Sequence, residues 1–381
     1  MARIVSDVDS GRPDFIPWWR TEVTSGDVEL ITTALSREQV SMGVVTSQLE
    51  RELADALDIP YVVATTSGSV ALTMAMMALN IGPGDEVIVP DRTFIATAHG
   101  AHLLGAKIVL ADCLPDSPNI DPGQIDALIS SRTRAIIAVH LNGRFCQMET
   151  ILEIASRKGI PVVEDAAQAV FSRTAMGFMG GFGRIGCFSF GMTKLLSTGQ
   201  GGAVLTRDRM IFENLRAMRN HGVRDVVSHE YLQSGHNFKF TDMQAALGLG
   251  QSRRWAAKVS HCNAVYTAYE QGLAGQSKVT LVPVDIAAGE CSLWAEVVTA
   301  ERDNLADYLA QRGIQTRHFL PCLHSAPHLA TPRSMPNSVR YGQTGLVLPS
   351  GPSQPLANVH RTIGAIRDWV DSNSGLGPSR D

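Results

Sequence analysis

The segment 160–202, IPVVEDAAQAVFSRTAMGFMGGFGRIGCFSFGMTKLLSTGQGG, decides how this chain is read. It opens on an apolar run, Ile160 to Val163, that reads as a buried strand and delivers Glu164 and Asp165 at the strand's carboxyl end. It closes on the strand-like Phe188-Ser189-Phe190, then Lys194, then a loop with Gly199, Gly201 and Gly202. A carboxylate at a strand end, a hydroxyl, and a lysine among glycines are the parts a pyridoxal phosphate site needs. Lysine supplies the amine that holds an aldehyde cofactor covalently. A fixed carboxylate keeps the cofactor's ring nitrogen protonated, and hydroxyls and glycine amides donate to its phosphate.

Upstream of this segment the chain alternates. Strand candidates at Tyr61–Ala64, Glu86–Val89, Lys107–Leu110, Ala135–Val139 and Ile160–Val163 are separated by helix candidates at Val70–Leu79, Phe94–Leu104, Pro122–Ile129 and Glu149–Lys158. Such alternation predicts βαβ units and a mostly parallel sheet covered on both faces. Ligands of these sheets sit at the carboxyl ends of the strands. Four stretches fall there: Thr66-Ser67-Gly68-Ser69, Asp91-Arg92-Thr93-Phe94, His140-Leu141-Asn142 and Glu164-Asp165. One site can be built from all of them.

The flanks read differently. Residues up to about Trp19, with Pro13 and Pro17, predict an irregular arm, and Asp27–Leu35 and Ser47–Leu57 show helical spacing. Downstream come a strand at Ala203–Thr206, a helix ending at Gly222, a polar loop with His236, Asn237 and Lys239, and one long helix from Thr241 to about Leu273, interrupted by glycines. Then Val279–Val282, Leu293–Val298 and Gln315–Phe319 read as strands and Asn304–Gly313 as a helix, with a frayed tail from Ser372. This predicts two domains of an α/β chain, 1–260 and a smaller 261–381.

Composition narrows the function classes. With 381 residues the chain can bury a large core, and 44% hydrophobic against 18% charged residues exclude a disordered or coiled-coil protein. A net charge of −4 without a Lys/Arg run gives no footprint for nucleic acid. The six cysteines are scattered without a CxxC pair, as expected of reduced thiols in the cytoplasm. No signal peptide or membrane-length apolar run is evident, so a cytoplasmic enzyme is expected.

Each motif has a plain alternative. Thr66–Ser69 reads either as a phosphate site at a helix N-terminus or as an ordinary serine cap. Asp165 needs a cationic partner, which a protonated pyridine nitrogen or an arginine would supply. Gln168 could reach the same ligand or simply face solvent. Gly181-Phe182-Gly183-Arg184-Ile185-Gly186 matches G-x-G-x-x-G, but a dinucleotide loop follows a strand and opens a helix, whereas here Ser172 to Gly180 are not strand-like and Cys187–Phe190 reads as a strand. Lys194 lies in an uncharged stretch that offers no surface salt-bridge partner. His99 and His102 share a helix face without an evident third ligand, and with His318, His324 and His328 they do not amount to a metal set. No metal is expected.

Taken in order, TTSGSVAL (65–72), GDEVIVPDRTFIATA (84–98), VVEDAAQA (162–169), GCFSFGMTKLLSTGQGG (186–202), MRNHG (218–222), HNFKFTDMQAALG (236–248) and RHFLPCLH (317–324) resemble the DegT/StrS family of sugar aminotransferases. The resemblance runs from about Phe15 to Pro349 and implies a fold-type I enzyme using pyridoxal 5'-phosphate, with pyridoxamine 5'-phosphate as the intermediate form. At matching positions it implies Lys194 as the Schiff-base lysine and Asp165 as the partner of the ring nitrogen. Gln168 is implied beside the ring hydroxyl, Phe94 on the ring face, and Gly68, Ser69 and Ser189 around the phosphate. Asn237 resembles a phosphate ligand given by the partner subunit, hence a homodimer with shared active sites. Some relatives carry His in place of the lysine and act as dehydratases, and Lys194 argues against that here.

Two departures stand out. The loop after the lysine reads Gly199-Gln200-Gly201-Gly202 where the family usually has GEGG or GDGG, and the segment after His324 reads SAPH where a Gln-Pro-aromatic sequence is common. The reading implies amino transfer from glutamate or glutamine to a keto group of a nucleotide-linked deoxy sugar, with a keto-cyclitol (inosose-type) as the alternative substrate. A nicotinamide-dependent sugar oxidoreductase and a non-catalytic regulatory protein are the alternatives from other classes. Retention of both Lys194 and Asp165 speaks against the last.

Overall fold

The computed structural model describes residues 14–223 and 230–373. Helices α1 (Ser25–Ser36) and α2 (Val44–Leu57) precede the alternating region: β1 (Tyr61–Thr65), α3 (Gly68–Ala78), β2 (Glu86–Pro90), α4 (Ala96–His102), β3 (Lys107–Ala111), α5 (Pro122–Leu128), β4 (Thr133–Val139), α6 (Met148–Lys158) and β5 (Val162–Asp165). A small hairpin, β6 (Arg173–Thr174) and β7 (Gly177–Phe178), leads to β8 (Ile185–Ser189), β9 (Gly202–Thr206) and α7 (Arg209–Arg219). The chain continues through α8 (Asp242–Arg253), α9 (Trp255–Leu273), β10 (Thr280–Leu281), β11 (Glu296–Val298), α10 (Arg302–Gln311), β12 (Arg317–His318), α11 (Pro336–Thr344), β13 (Gly345–Val347) and α12 (Leu356–Asn373).

Seven strands form one sheet in the order β1-β9-β8-β5-β4-β2-β3. Only β9 runs against its neighbours, β1 and β8. The carboxyl ends of the other six therefore share one edge, and β9 begins there, setting Gly202 opposite both Thr65 and Ser189. The strands are apolar over most of their length because both faces are covered. Val87 and Val89 pack with Met74 and Ala98 on one side, and Ile88 packs with Met148 and Ile151 on the other. Each such fully buried aliphatic side chain contributes about 1.5–3 kcal/mol.

A second, antiparallel sheet in the order β10-β11-β13-β12 packs its Val297 and Leu346 against Tyr269 of α9, Leu305 of α10 and Ile366 and Trp369 of α12. Residue 260 itself falls within α9. Among the described residues no helix is long and apolar enough to cross a membrane, and all six cysteines are free and buried.

Several boundaries differ from expectation. The long helix over 241–273 is two helices, and the break is not at its glycines. Arg254 leaves helical geometry (φ −106°, ψ 12°) and its guanidinium bonds Glu22 at 2.7 Å and Asp27 at 2.8 Å, so tertiary ion pairs turn the chain there. Gly250 instead permits contact, since a Cβ on it would stand 2.1 Å from Asp27 Oδ1. The helix predicted over 94–104 is shorter, which leaves Phe94 outside it. The strand predicted over 160–163 is shifted to Val162–Asp165, so both acidic residues end the strand itself. The strands expected in the second unit shrink to cores of two or three residues. The described part of the arm, 14–19, is irregular but pinned: Ile16 pairs with Ile314 and Trp19 with Ser350, and both Ile16 and Trp19 are buried. The rest of the arm and the end of the tail lie outside the described residues.

Candidate active site

The shared sheet edge gathers the strand ends. Asp165 sits between Val139 of β4 and Cys187 of β8 and is buried. Its Oδ2 accepts from Thr97 Oγ1 (2.7 Å) and its Oδ1 from the Ala167 amide (3.1 Å). Thr97 in turn lies 2.7 Å from Thr93 Oγ1, and because its own proton goes to Asp165, Thr93 is the donor. Burial raises the Asp165 pKa, while the two hydrogen bonds and Lys194 pull it down. Among the described residues Asp165 has no salt bridge to Lys or Arg. The arginine that could have explained a buried carboxylate is absent there.

Lys194 lies in the turn after β8, its amide bonded to Gly191 O at 3.1 Å. Its ammonium stands 5.3 Å from the centre of the Trp294 ring. Burial lowers its pKa to about 8, with the Asp165 carboxylate pulling upward. An amine with that pKa is about one-tenth neutral at pH 7, several hundred times more than an ordinary lysine. Trp294 is held by Asn142, whose side chain donates to Trp294 O and accepts from Trp294 N, both at 2.6 Å. Asn142 takes a left-handed backbone (φ 55°), which Asn tolerates better than most residues. Its own amide donates to Gln168 Oε1 at 2.8 Å, so one residue ties the second unit to the β5 loop.

At the amino end of α3, Ser67 caps the helix by accepting from the Val70 amide (3.1 Å). A Cβ on Gly68 would lie 2.7 Å from Ser189 Cβ, and one on Gly202 would lie 2.7 Å from the Gly68 nitrogen. Only glycines allow the helix end, the end of β8 and the start of β9 to meet. The Ser189 hydroxyl therefore lies at the positive end of a helix, beside Gly68 and the exposed Ser69. Gln168 is buried, and among the described residues no protein group takes its Nε2. Phe94 is 52% exposed on the same strand-end edge.

Asn237 is the exception. It is exposed and bridges Asn220 through the backbone, and no hydrogen bond joins its side chain to the Lys194 group among the described residues. Thr97 and Trp294 were not singled out by sequence, nor were Trp19 and Thr21, which donate to Met192 O at 3.0 and 2.8 Å and brace the lysine turn from the arm. A polar residue one helical turn after Phe94 was the available signal for Thr97. Nothing local pointed to Trp294.

The G-x-G-x-x-G stretch leads into β8, not a helix. The amides of Gly180, Phe182 and Gly183 all donate to the Glu164 carboxylate. The loop cradles an anion, but a protein one.

The match to known proteins follows this geometry. The profile of the DegT/DnrJ/EryC1/StrS aminotransferase family spans residues 22–367. The chain belongs to this family. GDP-perosamine synthase of Caulobacter vibrioides is 34% identical over 335 residues, covering 86% of this chain and 90% of that protein. A dTDP-3-amino-3,4,6-trideoxy-alpha-D-glucose transaminase of Streptomyces venezuelae is 35% identical over 352 residues, covering 90% and 91%. The structure of S. venezuelae DesV in complex with ketimine intermediate superimposes with a TM-score of 0.89 at 32% identity, covering 94% of this chain and 99% of that one. The fold is that of the fold-type I aminotransferases, the chain is an aminotransferase, and family membership implies pyridoxal phosphate.

The residues present fit that group. A buried carboxylate that, among the described residues, makes no salt bridge to Lys or Arg suits a protonated ring nitrogen. A lysine with a lowered pKa suits covalent attachment to an aldehyde, and the Gly68/Ser189 corner suits a phosphate.

Proposed function

We propose that this aminotransferase moves an amino group from glutamate or glutamine to a keto group on a nucleotide-linked deoxy sugar. The observation that carries the site assignment is Lys194, with its pKa lowered to about 8, within electrostatic reach of a buried Asp165 that, among the described residues, accepts hydrogen bonds from Thr97 and Ala167 alone. The named relatives support the substrate class, since both are named for nucleotide sugars.

When bound, pyridoxal phosphate supplies an electron sink for the carbon that loses its proton. The chain's own residues do the rest. Lys194 Nζ would hold the cofactor's aldehyde carbon and, when free, would serve as the general base that takes up and returns a proton. Asp165 keeps a positive charge on the ring nitrogen, and Thr97 and Ala167 hold its two oxygens in place. Gly68, Ser69 and Ser189 anchor the phosphate, Gln168 offers Nε2 to the ring hydroxyl, and Phe94 covers the ring.

We further assign the cofactor domain to 1–260, the smaller domain to 261–381, the protein to the cytoplasm, and the working unit to a homodimer in which Asn237 completes its partner's phosphate site. In a closed two-fold dimer that exchange is reciprocal. Mixing inactive Lys194→Ala with inactive Asn237→Asp subunits then creates one intact site per heterodimer and restores part of the activity. No recovery after proven subunit exchange would place Asn237 in its own chain's site.

The substrate assignment is tested with 15N-glutamate and 15N-glutamine against a panel of nucleotide-linked keto-deoxy sugars and a keto-cyclitol. Labelled amino sugar is the expected product. Turnover confined to the cyclitol would overturn it.

A further inference from the structure

His99 and His102 stand three residues apart on α4 and therefore share a face. The fold brings them the partner the sequence did not show. The short turn Pro327–Leu329 carries His328 against both: the His99 and His328 rings are 5.1 Å apart, the His102 and His328 rings 5.2 Å, and the Nε2 atoms of His99 and His328 approach to 2.9 Å. These side chains come from segments 229 residues apart in the chain. His328 is exposed and the other two are half-buried, so solvent reaches the group.

We propose that His99, His102 and His328 form a binding site for a borderline divalent transition ion such as Zn2+ or Ni2+, which staples the 327–329 turn to α4. Two imidazole nitrogens on one ion, each about 2.0–2.1 Å from it, stand about 3.0–3.4 Å apart. The 2.9 Å between His99 and His328 is close to that spacing before any ion enters. His102 joins as a third ligand by a side-chain rotation on the same face, and water fills the remaining positions. A set of imidazoles without a carboxylate selects against Mg2+ and Ca2+.

A second grouping, Asp91, Cys322 and His324, has its donor atoms within 4.8 Å of one another. Its donors are already engaged. His324 Nδ1 is 2.7 Å from Asp91 Oδ2, Cys322 Sγ donates to Ser338 O at 3.1 Å, and the Arg92 guanidinium lies 3.9 Å from the sulfur, where it would repel a cation. It is the natural control.

The experiment uses untagged holoenzyme, stripped of metal with a chelator and titrated calorimetrically with ZnCl2 and NiCl2. The wild type should bind one ion per chain, and its melting temperature should rise with the metal. His328→Ala should weaken binding at least tenfold and lose the thermal shift, and His99→Ala with His102→Ala should abolish both. In chelator, the circular-dichroism melts and transamination rates of these variants should equal wild type, which shows that they fold. His324→Ala should bind the ion as wild type does. Stoichiometric binding absent from the wild type, unchanged in His328→Ala, or lost in His324→Ala alone would overturn the assignment.

Discussion

Glu164 and Asp165 are consecutive, buried and at the end of one strand, yet their surroundings differ in kind. The period of two along β5 sends them to opposite faces of the sheet. Glu164 meets His140 Nε2 at 2.8 Å and accepts the amides of Gly180, Phe182 and Gly183. Its capacity of about four hydrogen bonds is filled by protein. Asp165 accepts two, from Thr97 and Ala167, and feels the Lys194 charge without a hydrogen bond to it among the described residues. A buried carboxylate that is fully satisfied fixes structure. One left short of partners at a ligand edge is held ready for a cation from outside the chain.

The sharpest separation comes from the lysine that Asp165 faces. Lys194→Ala should reduce transamination by more than about three orders of magnitude, measured in single-turnover assays, with the circular-dichroism spectrum unchanged. Asp165→Asn should slow both half-reactions by about a hundredfold without loss of fold, because a neutral amide cannot hold a ring nitrogen protonated. Rates within tenfold of wild type, equivalent to about 1.4 kcal/mol, would make Asp165 a second Glu164 and break the comparison. Glu164→Gln should do the reverse. Its cost is about 2–3 kcal/mol of stability in urea, since the amide cannot accept every amide proton of the 180–183 loop, with turnover per folded molecule within about threefold.

The smallest effect concerns pH. In cofactor-free protein the Lys194 pKa is about 8, below the ordinary 10.5 that it regains on unfolding. The unfolded chain then binds more protons between those values, so this group's contribution to stability rises with pH from 8 to 10.5 and is a cost at pH 7. Lys194→Met should therefore be more stable than wild type at pH 7, by about 1–2 kcal/mol after solvent screening, and the advantage should vanish toward pH 10.5. An advantage independent of pH would mean that methionine packs better and that charge is not the cause.

The alternation from Tyr61 to Asp165 was legible because strands covered on both faces must be apolar throughout, and helices with one exposed face cannot be. The break at Arg254 was not, because partners as distant as Glu22 set it. Helix α12 had a readable signal in the spacing of Val359, Ile363, Ile366 and Val370, whereas β13 is three residues long and owes its form to the strands beside it. At the site, the residues around Lys194 and Asp165 announced themselves by type and position. Trp294 and His328 did not, since long-range folding alone brings each to its neighbours.

The central claim is that Lys194 holds the cofactor, and the protein contains a physical rival. Lys258 is buried, and burial lowers its pKa to about 8 as well, but its ammonium is engaged by Gln251 Oε1 and Leu195 O. Borohydride reduction of the holoenzyme, followed by proteolysis and peptide mass mapping, distinguishes them. The account predicts a phosphopyridoxyl mass on Lys194 alone. The same mass on Lys258, or on any lysine with Lys194 unmodified, would contradict it.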